Sequence, residues 1–141
     1  MTYDYSSKKI VAIISDKLPA GKALNALGHI AFSAGRYSDS SMMGKPEIAD
    51  ADGNIHKGIS KYPFIVLKAG EEELKAIVLE AKKQGLLVVD YPQEMFDTGP
   101  DDELVAALSK AKELTIVYHA AVLSGETEKI KMLTAHLKLY K

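Results

Sequence analysis

The sequence predicts an α/β protein, a three-layer α/β/α sandwich built on a mixed sheet of four or more strands. Two observations point there. Short runs of β-branched and apolar residues alternate with longer amphipathic stretches of helical period, the pattern of strands layered between helices. The 141 residues, 47% apolar and 26% charged, suit one domain over residues 1–141 with a core of its own.

Lys9–Ser15 is a near-continuous apolar run, expected as a strand buried on both faces. Asp16-Lys17-Leu18-Pro19 breaks it, and a helix follows over about Ala20–Gly35, with Leu24, Leu27, Ile30, Ala31 and Ala34 as the stripe facing the sheet. Between Tyr37 and Tyr62 lies an excursion rich in Ser, Gly and Asp, in which Asp52-Gly53, set between Ile48 and Ile55, marks a hairpin. Pro63–Lys68 reads as a second strand. The helix Glu71–Gln84 has three acids in its first turn and Lys82-Lys83 near its end, both complementing the helix dipole. Leu86–Tyr91 reads as a third strand, Gln93–Gly99 as a loop, and Pro100 to about Lys112 as a helix. Thr115–Ala120 is the expected fourth strand. Ser124 is a candidate N-cap for a helix over Gly125–Ala135, and Leu137–Tyr140 suits a short closing strand.

Composition excludes several classes of function. Without cysteine there are no disulfides, thiolate metal sites or cysteine nucleophiles. No apolar run approaches the roughly 20 residues of a membrane-spanning helix, and Met1–Lys9 lacks the apolar centre of a signal peptide, so a cytoplasmic protein without a membrane partner is expected. The net charge of −1 gives no global basic field for nucleic acid. Residues 1–68 nevertheless hold nine Lys and Arg against six Asp and Glu, which leaves room for a local basic face. The seven tyrosines, Tyr3 and Tyr5 among them, do not cluster into a base-stacking platform. Met42-Met43 reads as an apolar patch or a subunit contact.

Familiar motifs fail on particular residues. Gly21-Lys22 lacks the upstream Gly and the Ser/Thr of a phosphate-binding loop, since Asp16 and Ala23 stand there. Asp50-Ala51-Asp52-Gly53-Asn54 places its Gly two positions early for a calcium loop, and Lys61 occupies the place of the bidentate Glu. The four histidines show no metal spacing and no Ser sits in a nucleophile elbow, so neither metal nor cofactor is expected.

The sharper feature is the turn after the first strand. It places Lys22 near a helix N-terminus at the carboxyl edge of a sheet, where anions bind and where the backbone N–H groups of Ala20 and Gly21 are free to help. Lys22 and His29 lie seven residues apart and can project from one helix face. The alternative is a solvated Lys22 and a packed His29.

The strand-turn-Gly-Lys-helix-His pattern of Lys9–Arg36 resembles the N-terminal signature of class II peptidyl-tRNA hydrolases. Ile65–Lys68 and the following helix continue the likeness, and Thr134-Ala135-His136-Leu137-Lys138-Leu139-Tyr140 is similar to that family's closing Gly-His-Leu-Lys-Leu-Tyr. The family's Gln before the helix His is Ala26 here, with Asn25 the nearest amide, and its Asp-Ala-Gly-x-Thr appears as Asp90-Tyr91-Pro92-Gln93-Glu94. The stretches Asp50–Gly58 and Met95–Gly99 look like those of an uncharacterised bacterial branch of that superfamily. The resemblance implies catalytic roles for Lys22, Asp90 and Thr115 and a homodimer, and Asn25 and His29 join Ala20 and Gly21 of the helix N-terminus as expected substrate contacts. It also implies a tRNA or smaller phosphate-bearing substrate.

Two functional expectations follow. One is a hydrolase that cleaves an ester or amide, with Asp90 orienting water, Lys22 offsetting developing charge and Thr115 donating a hydrogen bond. The other is a non-catalytic ligand-binding or interaction domain of the same fold. Each residue has a plainer reading beside these: Asp90 as a loop cap, Thr115 as an ordinary β-former, and Asp97-Thr98 as a turn or the cap of the next helix.

Overall fold

Lys8–Ser15 forms strand β1, and its apolar run makes it the centre of a sheet. The chain continues through α1 (Ala20–Tyr37), a 3₁₀ turn at Ser40–Met42, β2 (Glu47–Ala49), β3 (Ile55–Lys57), β4 (Phe64–Ala69) and α2 (Glu71–Lys83). It then forms β5 (Leu87–Pro92), α3 (Gln93–Asp97), α4 (Asp101–Lys110), a 3₁₀ turn at Glu113–Thr115, β6 (Tyr118–Glu126), α5 (Thr127–Thr134) and β7 (Lys138–Leu139). This computed structural model describes residue 4 and residues 6–141, so Tyr3 and Tyr5 lie outside the described residues.

The main sheet has five strands in the order β5-β6-β1-β4-β7. β1 runs parallel to β4 and antiparallel to β6, while β6 is antiparallel to β5 and β7 antiparallel to β4. The sheet is therefore mixed. The pairs Ser15↔Ala69, Ile14↔Ala120 and Pro92↔Tyr118 bring the C-terminal ends of β1, β4 and β5 and the start of β6 to one edge.

Alternation along β1 divides the core in two. Ile10, Ala12 and Ile14 join Ala23, Ala26, Ile30 and Ala34 of α1 on one face. Val11 and Ile13 join Leu74, Ile77, Val78 and Ala81 of α2 and Ile130 of α5 on the other. Helices thus cover both faces. The face that α1 buries carries three alanines and one isoleucine, and short side chains let the helix backbone approach the strands closely. Among the described residues, no helix is long and apolar enough to cross a membrane.

The excursion after α1 contains the expected hairpin. β2 and β3 pair antiparallel, and the Asp50 carboxylate closes the turn by accepting from the backbone N–H groups of Asp52 and Asn54, both at 2.9 Å. Gly53 sits at φ 87°, a region that glycine enters without steric cost.

Several expectations give way to tertiary context. Leu24 is 66% exposed, because the buried stripe of α1 is centred one residue away, on Ala23, Ala26, Ile30 and Ala34. Ser124 is no helix cap. It lies within β6, paired with Ile10 on one side and Leu87 on the other, and α5 begins only at Thr127. The expected loop Gln93–Gly99 contains the short helix α3, which packs Met95 and Phe96 onto the α1 side of the core. The fourth strand does not open at Thr115. The N–H groups of Thr115 and Ile116 turn back to the Lys112 carbonyl, and Lys75 Nζ donates to the carbonyls of Leu114 and Ile116, so this stretch is satisfied as a turn.

Leu123 is fully buried in β6 and Leu114 is 89% exposed, although both are leucines close in sequence. Leu123→Ala should lower unfolding free energy in urea by about 2–5 kcal/mol, through lost transfer energy and a cavity. Leu114→Ala should change it by less than about 0.5 kcal/mol. Similar effects at the two sites would contradict this division of the core.

Candidate functional site

A cleft of about 510 Å³ opens where the chain leaves β5 and folds back over α1. Pro92 ends β5, α3 follows at once, and Gly99-Pro100 turns the chain into α4. Asn25, His29 and Ser33 line one side. They lie four residues apart along α1, so they share one polar face. Tyr91, Met95, Phe96 and Leu104 give the cleft aromatic and apolar surface, and Thr98, Gly99 and Asp101 complete it.

A chain of rings runs from the cleft to the sheet edge. The centroids of His29 and Tyr91 are 6.2 Å apart, those of Tyr91 and Phe96 4.8 Å, and those of Phe96 and His119 5.4 Å. These tilted and edge-on contacts suit the ring quadrupoles. Lys22 Nζ lies 5.3 Å from the Phe96 centroid, within cation–π range. Burial pushes the Tyr91 hydroxyl above its usual range.

His119 is only 8% exposed, and its Nε2 meets Gln93 Oε1. Gln93 Nε2 is in turn engaged in donating to Asp97 Oδ1 at 2.9 Å. With the amide so oriented, Nε2 of His119 must donate, and the buried Nδ1 keeps a lone pair with no partner among the described residues. Burial holds the His119 pKa below its ordinary value. Lys22 acts in the same direction, and Glu71, Asp97 and Glu94 act against it.

The residues expected to act together are dispersed. Asn25 and His29 line the cleft, but Lys22 does not, its ammonium lying over the Phe96 ring. Ala20 and Gly21 open α1 as exposed residues outside the lining. Asp90 borders the cleft, yet its Oδ2 is 2.8 Å from Lys82 Nζ on α2. Strand alternation explains this: Val89 and Tyr91 pack on the α1 face, so Asp90 between them turns to the face covered by α2. Thr115 is exposed in its 3₁₀ turn, and its hydroxyl donates to the Lys112 carbonyl at 2.9 Å.

Sequence reasoning missed Ser33, Tyr91, Met95, Phe96 and His119 as site residues. Two signals were available. Ser33 stands one further turn along from Asn25 and His29, and Met95-Phe96 is an apolar pair inside an otherwise polar loop, which requires a covering partner.

Fold and site together define an α/β protein with a small-molecule-sized cleft beside an edge strand. Residues 8–141 match the family model described as "Protein of unknown function (DUF2000)", and the chain belongs to that family. Its fold is similar to that of a protein of unknown function from Agrobacterium tumefaciens strain C58, with a TM-score of 0.83 and 22% identity over 96% of this chain and 98% of that one. None of the curated proteins matches the chain. The resemblance to class II peptidyl-tRNA hydrolases is thereby corrected, since the family spanning the chain is DUF2000 and neither it nor the similar solved structure points to such an enzyme. Its closing signature serves the sheet here: Leu137 packs in the core, while Lys138 and Leu139 pair with β4.

His119 makes stability depend on pH. In the unfolded chain it titrates near 6.5, and in the native state burial depresses that value. As pH falls below about 6.5 the unfolded chain binds more protons, so the stability present above that pH is lost down to the native pKa. Urea unfolding between about pH 7.5 and pH 5.5 should therefore show a smaller loss for His119→Gln than for wild type. Equal losses would contradict a buried, neutral His119.

Proposed function

We propose that this protein is a ligand-binding domain that holds one small organic molecule in the cleft between α1 and residues 93–104. The observation that carries this reading is the cleft's two-sided chemistry: Asn25, His29 and Ser33 on one helix face, and the rings of Tyr91 and Phe96 with Met95 and Leu104 as apolar surface. A volume of about 510 Å³ lies within the range of small-molecule sites. Apolar surface supplies affinity there, and a few placed polar groups fix orientation.

Binding is favoured over hydrolysis by the placement of the reactive groups. Ester or amide cleavage needs a base for water and a donor for the oxyanion at one point. The Asp90 carboxylate is engaged with Lys82, and the Thr115 hydroxyl with the Lys112 carbonyl. The polar groups that line the cleft from one helix face, Asn25, His29 and Ser33, are hydrogen-bonding groups suited to recognition.

Ser33→Phe tests this by filling the cleft from α1. In a fragment screen followed by NMR, wild-type binders should perturb the amides of Tyr91, Phe96, Thr98 and Gly99. The same fragments should bind Ser33→Phe about tenfold more weakly or not at all, because the apolar area that they would bury is already covered. A melting curve close to that of wild type would confirm that the variant folds. Fragments that perturb other surfaces, or that bind the variant equally well, would overturn the assignment.

A further inference from the structure

The ligand's charge can be read from the same cleft, an inference that rests on the binding reading above. Residues 84–109, which supply β5, α3 and most of α4, contain six Asp and Glu and no Lys, Arg or His. Lys82 offsets one of them, Asp90, from the opposite face. Asp101 remains in the lining, and Asp97, Asp102 and Glu103 stand close by in sequence. Of the basic residues of α1, His29 lines the cleft while Lys22 and Arg36 do not, the Lys22 ammonium lying 5.3 Å from the centroid of the lining Phe96 ring.

The helix end beside the cleft that would otherwise favour an anion is already crowded by acids. The N-terminus of α4 carries its own acids, Asp101, Asp102 and Glu103, in the first turn. The Gly99 N–H donates to Glu103 Oε2 at 3.2 Å. A phosphate or carboxylate entering here meets carboxylates within a Debye length and finds no lining lysine or arginine. A cation meets the same carboxylates and the aromatic side chains of Tyr91 and Phe96, which line the cleft. The Lys22 ammonium already lies over Phe96, so a ligand's own positive charge is favoured at the Asp101 side of the cleft and not on this ring.

We infer that the cleft takes an organic cation, an ammonium or amidinium group carried on an aromatic or apolar ring, in place of the phosphate-bearing ligand expected from the sequence. The ring lies against Tyr91 and Phe96, and the cationic group points toward Asp101. Asn25, His29 and Ser33 hydrogen-bond to the remaining polar atoms.

Three probes sharing one ring test this: tryptamine, indole and indole-3-acetate, each titrated into the full chain at low salt and followed by amide NMR. Tryptamine should perturb Tyr91, Phe96, Thr98 and Gly99 at the lowest concentration, indole at a higher one and indole-3-acetate at the highest. The preference for tryptamine over indole-3-acetate should shrink on adding salt, and by about threefold or more in Asp101→Asn. Asp101 is exposed, so the variant keeps the fold, and an unchanged spectrum elsewhere would confirm it. If indole-3-acetate binds in the cleft as well as tryptamine or better, the charge assignment is overturned while the binding reading stands. If none of the three perturbs the cleft, the binding reading fails and the inference with it.

Discussion

Side chains of β1 alternate between two apolar layers, and the placement of the helices follows from that alternation. Ile10, Ala12 and Ile14 take α1 on one side, while Val11 and Ile13 take α2 and α5 on the other. A residue buried on both faces must also hydrogen-bond on both edges, which β4 and β6 provide. β6 then becomes the partner of β5. The edge strand, and with it the cleft, is thus positioned through two ladders that start from β1.

The cleft exists because α1 and the α3–α4 segment meet over an edge strand and not over the middle of the sheet. Above β1, the short side chains of Ala23 and Ala26 let α1 lie close. Toward β5 the helix presents Asn25, His29 and Ser33 to the cleft instead. Phe96 bridges cleft and core, touching Tyr91 on one side and His119 on the other. His119 meets Gln93, so the first residue of α3 is joined to β6 as well as to β5. That contact ties the aromatic surface of the cleft to the sheet.

The sequence carried most of the elements, because their apolar runs and stops are local signals. Lys9–Ser15 and Glu71–Gln84 needed no tertiary information, the first for its unbroken apolar run and the second for its charged ends and Gly85 stop. Thr115–Val117 reads as β-forming, but Lys75, some forty residues away in sequence, takes the carbonyls of Leu114 and Ile116. A periodicity reading cannot see such a contact. The site was legible on one side only. Asn25 and His29 are placed by helical spacing, whereas Phe96 and His119 meet through the pairing of β5 with β6. Asp90 was read as an acid at a strand end, yet the direction of its side chain depends on which face Tyr91 buries.

A crystal structure of the protein with tryptamine bound is the most direct measurement. The expected result is an indole ring packed on Tyr91 and Phe96 between α1 and residues 93–104, with the amine directed toward Asp101. A ring bound on another surface, with the cleft empty, would contradict the assignment of this cleft as the site.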